Sequence, residues 1–244
     1  MSELSGESEK FYAYGPAHLS VLLLTVSAAF LMIILTRSGW RRTSRSFEVF
    51  LAVILFMEWP VNLLVAWRTE GITANNALPF QFCDVAAIVG GLALLTRQSE
   101  LCELLYFWGL AGTAQGLITP ALSVNWPHPR FVTFFMLHAG VVMAAVQVVF
   151  ARGKTPRRGA VSRAFGWLFV YAVSAGVVNV VIRLCGGTSN YGFLCEKPPT
   201  ASLLNILGPW PWYIGAIGVM AWISFSVLDL PFMIARKLGK KNHA

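Results

Sequence analysis

Residues 17–36 read AHLSVLLLTVSAAFLMIILT, and residues 37–45 read RSGWRRTSR. Twenty uncharged residues at helical rise cover roughly 30 Å, the thickness of a bilayer's hydrocarbon core. The arginine burst that follows is the kind of stop a membrane helix meets at a positively charged face. Six further apolar runs follow, at 47–67, 80–96, 101–119, 129–150, 162–184 and 210–234. The third and fourth are short and share the turn Arg97-Gln98-Ser99-Glu100. Helix is the expected state of each run, because an open strand leaves backbone groups unpaired in lipid. The expected fold is all-α: a polytopic membrane bundle of seven transmembrane helices at 17–234, between a polar tail at 1–16 and a basic tail at 235–244.

Composition agrees with that reading. The 244 residues are 56% apolar and only 12% charged, and the mean hydropathy is +0.62. This is too apolar for a soluble domain of the size. The first sixteen residues are polar and mildly acidic, and no small-residue cleavage site follows the first run, so that run is expected to be a retained helix. The net charge of +8 does not point to nucleic acid, because the basic residues fall in short bursts between apolar runs. Fourteen lie in the loops 37–46 and 151–163, in the C-terminal tail and at Arg97; five lie at Lys10, Arg68, Arg130, Arg183 and Lys197. The positive-inside rule then puts the N-terminus outside and the C-terminus in the cytoplasm.

Two reactive side chains sit inside these runs. Cys83 lies a few residues below the outer end of the third. His138 lies nine residues below the outer end of the fifth, roughly 13 Å at helical rise. An imidazole in lipid is costly unless it faces a partner or a cavity. A thiol needs a base to become a good nucleophile. Together they form a candidate Cys–His pair; separately they read as a small apolar residue and a hydrogen-bonded histidine. Gln81, Asp84 and His128 share the outer zone. Asp84 points about 100° away from Cys83 on a helix, and a carboxylate beside a thiol works against the thiolate. It fits better as an orienter of His138 or of a substrate's polar group. Glu58, mid-run in the second span, could carry protons, bind a headgroup or bond to a neighbouring helix.

Other features read structurally. Gly109, Gly112 and Gly116 form a small-residue stripe suited to close helix packing. Asn179 suits interhelical bonding, and Asp229 suits pairing with the basic tail. Cys185 and Cys195 bracket an outer loop where a disulfide is plausible, while Cys102 should stay free. Trp126-Pro127-His128-Pro129-Arg130 and Gly208-Pro209-Trp210-Pro211-Trp212-Tyr213 are interface anchors that could rim a lipid-accessible pocket. No span holds a lysine, which excludes a retinal-type Schiff base. No metal-ligand spacing, P-loop, GxGxxG or GxSxG appears. No metal or cofactor is therefore expected.

The segments 78–84 (LPFQFCD), 127–131 (PHPRF), 135–138 (FMLH), 190–194 (NYGFL) and 208–213 (GPWPWY) together resemble the YwaF family of bacterial integral membrane proteins, over roughly residues 20–232. A more distant vertebrate member of the superfamily is described as a phospholipid acyltransferase using a membrane Cys and a membrane His. By order and spacing those positions match Cys83 and His138. The resemblance implies a multi-pass protein of the bacterial inner membrane that transfers a fatty acyl chain between phospholipids and lysophospholipids through an acyl-Cys83 intermediate. His138 would serve as base and acid. Gln81, Asp84, His128, Asn190 and Tyr191 are then candidates for orienting the histidine or binding the headgroup. Gln81 and the N–H groups near Pro79 are candidate oxyanion donors. Water as acceptor would make the protein a lipid hydrolase. A transporter or lipid-flipping protein, with Glu58, Asp84 and His138 along a polar path, is the alternative.

Overall fold

A computed structural model describes residues 10–198 and 206–241; the remainder of both expected tails and of the last outer loop lies outside the described residues. Helices are α1 (Pro16–Arg37), α2 (Arg41–Thr69), α3 (Phe82–Thr96), α4 (Ser99–Phe107), α5 (Ala114–Ile118), α6 (Pro129–Val146), α7 (Ala160–Leu184) and α8 (Trp212–Lys241). A π-helical segment, Trp108–Thr113, joins α4 to α5 without a break, and another, Gln147–Ala151, extends α6. The described chain thus forms seven helical rods. Five are long and apolar enough to cross a membrane; α3 is apolar but shorter. Around their outside, large apolar side chains such as Leu23, Leu24, Phe30, Phe169 and Val227 are exposed, as lipid-facing residues are.

Local sequence sets the ends. Pro16 and Pro129 stand at first helical positions, where a missing N–H costs nothing. Gly39, at φ +83°, makes the tight turn between α1 and α2 that a Cβ would strain. Both α2 and α8 run past their apolar stretches into charged sequence, so the helices extend beyond the expected spans.

Alternate rods run in opposite directions, and side-chain ties fix both ends. At the end holding the start of α1, His18 Nε2 bonds the Leu117 carbonyl at 2.6 Å, and Arg130 pairs with Glu70. Phe11 packs on His18, Phe131 and Phe135, so residues 10–15 of the expected tail belong to the folded unit. At the other end two buried carboxylates gather the arginines. Glu48 takes Arg45 at 3.3 Å, Arg97 at 2.8 Å and Arg152 at 2.5 Å, plus Gln147 at 2.9 Å. Glu103 takes Arg157 at 2.7 Å and Arg163 at 2.9 Å. The Glu103 pairing holds the Arg157 guanidinium above its ordinary pKa. Asp229 bonds Arg236 at 2.8 Å, the tail pairing expected of it.

The centre is α6, with 61% of its apolar window buried against 6–28% for α1, α2, α7 and α8. It packs against α2, α3 and the rod from α4 to α5. Small residues permit this. A Cβ at Gly109 would meet Val141 and Ala145 at 3.2–3.3 Å, and one at Gly90 would meet Leu55 and Leu105.

Candidate functional site

Helix α3 has 15 residues, roughly 22 Å of rise against a core of about 30 Å. Its C-terminal end is tied to the arginine cluster, Arg97 reaching Glu48 and Arg45 the Leu94 carbonyl, each at 2.8 Å, so the shortfall lies at its N-terminus. Irregular backbone at such depth has to be buried and satisfied by protein. Asn179 on α7 does this for the segment around Tyr191, accepting from the Tyr191 N–H at 2.8 Å and donating to its carbonyl at 3.0 Å. The Tyr191 hydroxyl donates to the Ala74 carbonyl at 2.7 Å and accepts the Leu78 amide at 3.1 Å. Burial pushes this phenol above its ordinary pKa, which keeps it neutral and able to do both. Asn190 holds the same cap: its backbone N–H donates to Asn75 Oδ1 at 2.7 Å, and its Oδ1 receives the Cys195 and Glu196 amides.

Asn190 and Tyr191, read from sequence as headgroup or orienting residues, are thus committed to the fold of this cap. Gln81 joins them, its Oε1 accepting from the Gly192 amide at 3.3 Å. His128 caps α6, its Nδ1 accepting the Arg130 amide at 3.2 Å. The Cys185–Cys195 bridge that the sequence makes plausible is not formed; both are free thiols. The reason is local: Asn190 and Tyr191 draw the intervening segment inward and hold the Cys195 amide, while Cys185 ends α7 exposed.

Cys83 is the second residue of α3 and is half-buried. Asp84 beside it accepts the Gln81 amide at 3.2 Å. The Asp84 and Glu58 carboxylates both lie close enough to interact electrostatically with the thiol and with each other. Glu58 is buried, and its Oε2 has no partner.

His138 is 6% exposed. Its Nδ1 bonds the Phe134 carbonyl at 2.6 Å, and its ring stacks on Phe134 at 4.2 Å. A carbonyl only accepts, so Nδ1 carries the proton and Nε2 keeps its lone pair. That nitrogen faces Gly116, where an added Cβ would overlap the ring. One turn earlier on the same rod, a Cβ at Gly112 would overlap Phe82, and Thr113 Oγ1 lies beside the Cys83 sulfur. Residues 113 and 116 share a face about 4.5 Å apart along the axis. The thiol and the imidazole therefore approach the same stretch of one rod from two helices, α3 and α6, that also pack on each other.

They are not hydrogen-bonded to each other; the ring's partner is the Phe134 carbonyl. Nor do they line either of two lateral grooves. One, of about 580 Å³, runs between α1, α2 and α6 along Thr25, Leu51, Phe135 and Met143. The other, of about 400 Å³, lies along Phe80, Val89, Trp108 and Tyr171. Gly112 and Gly116 let Phe82 and His138 close onto the rod. No group of three or more metal-ligating side chains occurs among the described residues.

Comparison with known sequences agrees with the membrane reading. A sequence model of the TMEM164 family matches residues 13–229. An uncharacterised protein of Treponema pallidum (strain Nichols) is 26% identical over 226 residues, covering 91% of this chain and 90% of that one. No solved structure matches.

Proposed function

The chain belongs to the TMEM164 family, and from that premise we propose that it is a seven-crossing integral membrane acyltransferase working through Cys83 and His138. In this reading His138 Nε2 removes the thiol proton, and the thiolate attacks a phospholipid ester. The S–C bond forms, the ester C–O bond breaks, and His138 protonates the leaving alkoxide. A lysophospholipid hydroxyl, deprotonated by the same imidazole, then takes the acyl group from the thioester. Water in its place gives hydrolysis.

One observation carries the reading: two helices deliver a thiol and an imidazole with a free Nε2 to adjacent turns of a third. The resemblance to a vertebrate membrane acyltransferase, whose Cys and His match by order and spacing, supports the same two residues. Resting catalytic pairs are often loose and tighten with substrate, which accommodates the separate bonding of His138. The clusters of arginine at the ends of α1, α3 and α6 support a cytoplasmic location for that side, with the N-terminus outside in a bacterial inner membrane.

The test is a trapped intermediate. Purified protein given a phospholipid with a labelled acyl chain should carry a hydroxylamine-labile label on Cys83. Cys83→Ser should abolish the label and His138→Ala should reduce it strongly. Lipid turnover unchanged in both variants would end the proposal. Flux of lipid or protons lost in Glu58→Gln, with no acyl adduct in any variant, would favour a transporter.

A further inference from the structure

A helix threonine normally satisfies its hydroxyl on the carbonyl four residues back. This chain follows that habit at Thr25, Thr36, Thr69, Thr96 and Thr119, at 2.7–3.1 Å. Thr113 does not. It is fully buried, and its Oγ1 makes no hydrogen bond of ordinary geometry. It ends the π-helical segment Trp108–Thr113, whose wider turn displaces the carbonyl a threonine would otherwise use. Such segments often mark functional sites. An orphaned buried hydroxyl is uncommon and calls for an explanation.

What it faces supplies one. Its oxygen lies beside the Cys83 sulfur, at the first turn of α3. There the Asp84 and Val85 amides return to the Gln81 carbonyl at 3.0 and 3.2 Å. The Phe82 and Cys83 N–H groups come too early in the helix to have an intrahelical acceptor. A buried hydroxyl whose nearest polar neighbour is the thiol itself and the unpaired amide of the same cysteine thus lie at one turn of α3. Gln81, an oxyanion candidate by sequence, is instead engaged with the Gly192 amide.

We propose that the Thr113 hydroxyl and the Cys83 backbone N–H form the oxyanion hole of this site, taking the carbonyl oxygen of an acyl ester. This rests on the acyl-transfer reading above. As the sulfur–carbon bond forms, the carbonyl electron pair moves onto oxygen. Thr113 donates a hydrogen bond to that charge and keeps its proton. When the tetrahedral centre collapses, the pair returns and the alkoxide leaves with the proton held by His138. Thr113 donates again when the acceptor hydroxyl attacks the thioester.

The experiment compares Thr113→Val, which keeps the shape and removes the hydroxyl, with Thr113→Ser, which keeps the hydroxyl. The assay is transfer from a fluorescent phospholipid to lysophosphatidylcholine in detergent micelles. Loss of one such donor lowers turnover about 10²–10³-fold, so Thr113→Val should fall by that factor while Thr113→Ser recovers most of it. Alkylation of Cys83 by iodoacetamide, which needs no oxyanion, should proceed at the wild-type rate in both. Wild-type turnover in Thr113→Val, or equal losses in the two variants, overturns the assignment. If Thr113→Val does not fold, Thr113→Ala carries the same expectation. Cys83→Ser and His138→Ala run alongside. If they retain transfer, the acyl-transfer reading fails; if they lose it while Thr113→Val retains it, the oxyanion assignment alone fails.

Discussion

Replacing Gly116 with alanine drives a methyl group into the His138 ring. The new Cβ would lie 2.9 Å from the ring's Cγ and closer still to Cδ2 and Nε2. Carbon contacts are comfortable from about 3.5 Å, so the ring must retreat by about 1 Å or more. Its stack on Phe134 and its bond to the Phe134 carbonyl have to give. Alanine's helix propensity contributes about 1 kcal/mol in favour. Overpacking costs about 1–3 kcal/mol, and the lost hydrogen bond about 1 kcal/mol. The balance is a destabilisation of about 1–3 kcal/mol. Turnover suffers more, because a displacement near 1 Å can cost about a hundredfold. Gly166→Ala on α7 is the control, since nothing lies within 4 Å of a Cβ there. Thermal unfolding in detergent, followed by dye labelling of the buried Cys102 thiol after Cys185 is blocked, gives stability; the fluorescent transfer assay gives rate. A Gly116→Ala protein matching the control in both would refute the placement of His138 against this rod.

Three further outcomes follow from the packing. Glu48→Gln leaves three arginines around a neutral amide and should cost about 2–4 kcal/mol, the lower part of the range because Arg45 and Arg97 reach water; an unchanged unfolding temperature would contradict the clamp. Asn179→Ala strands the buried N–H and carbonyl of Tyr191 and should cost about 2–4 kcal/mol, with faster proteolysis at residues 187–198 as the local readout. Cys185 should react with a membrane-impermeant maleimide in intact cells, and both it and Cys195 should alkylate without reductant; labelling only after permeabilisation would reverse the proposed orientation.

The sequence revealed helices more readily than the site. All seven apolar runs became helical rods, because hydropathy at this length leaves the backbone no other state in lipid. The ends were less legible. A helix continues into water as long as its residues tolerate it, so α2 starts at Arg41 and not at 47. Cys83 and His138 stood out as costly chemistry in apolar sequence, and the glycine stripe correctly signalled close packing. The stripe gave no hint that two of its members would meet Phe82 and His138. Asn190 and Tyr191 were conspicuous as a motif, but sequence did not show the hydrogen bonds by which they satisfy a recessed loop. Thr113 carried no signal, since a threonine in an apolar helix is ordinary until a π-helical turn takes away its carbonyl. Glu48 and Glu103 were overlooked for a related reason: their arginines lie up to 104 positions away.

That distance bears on how the molecule is made. When α2 emerges from the ribosome, Glu48 has Arg45 at hand, but Arg97 is not yet translated and Arg152 follows more than a hundred residues later. The carboxylate must wait, hydrated, until the fifth rod has been threaded. A chain truncated before Arg152 would carry a half-closed clasp. The ion cluster is complete only when five of the seven rods are in place.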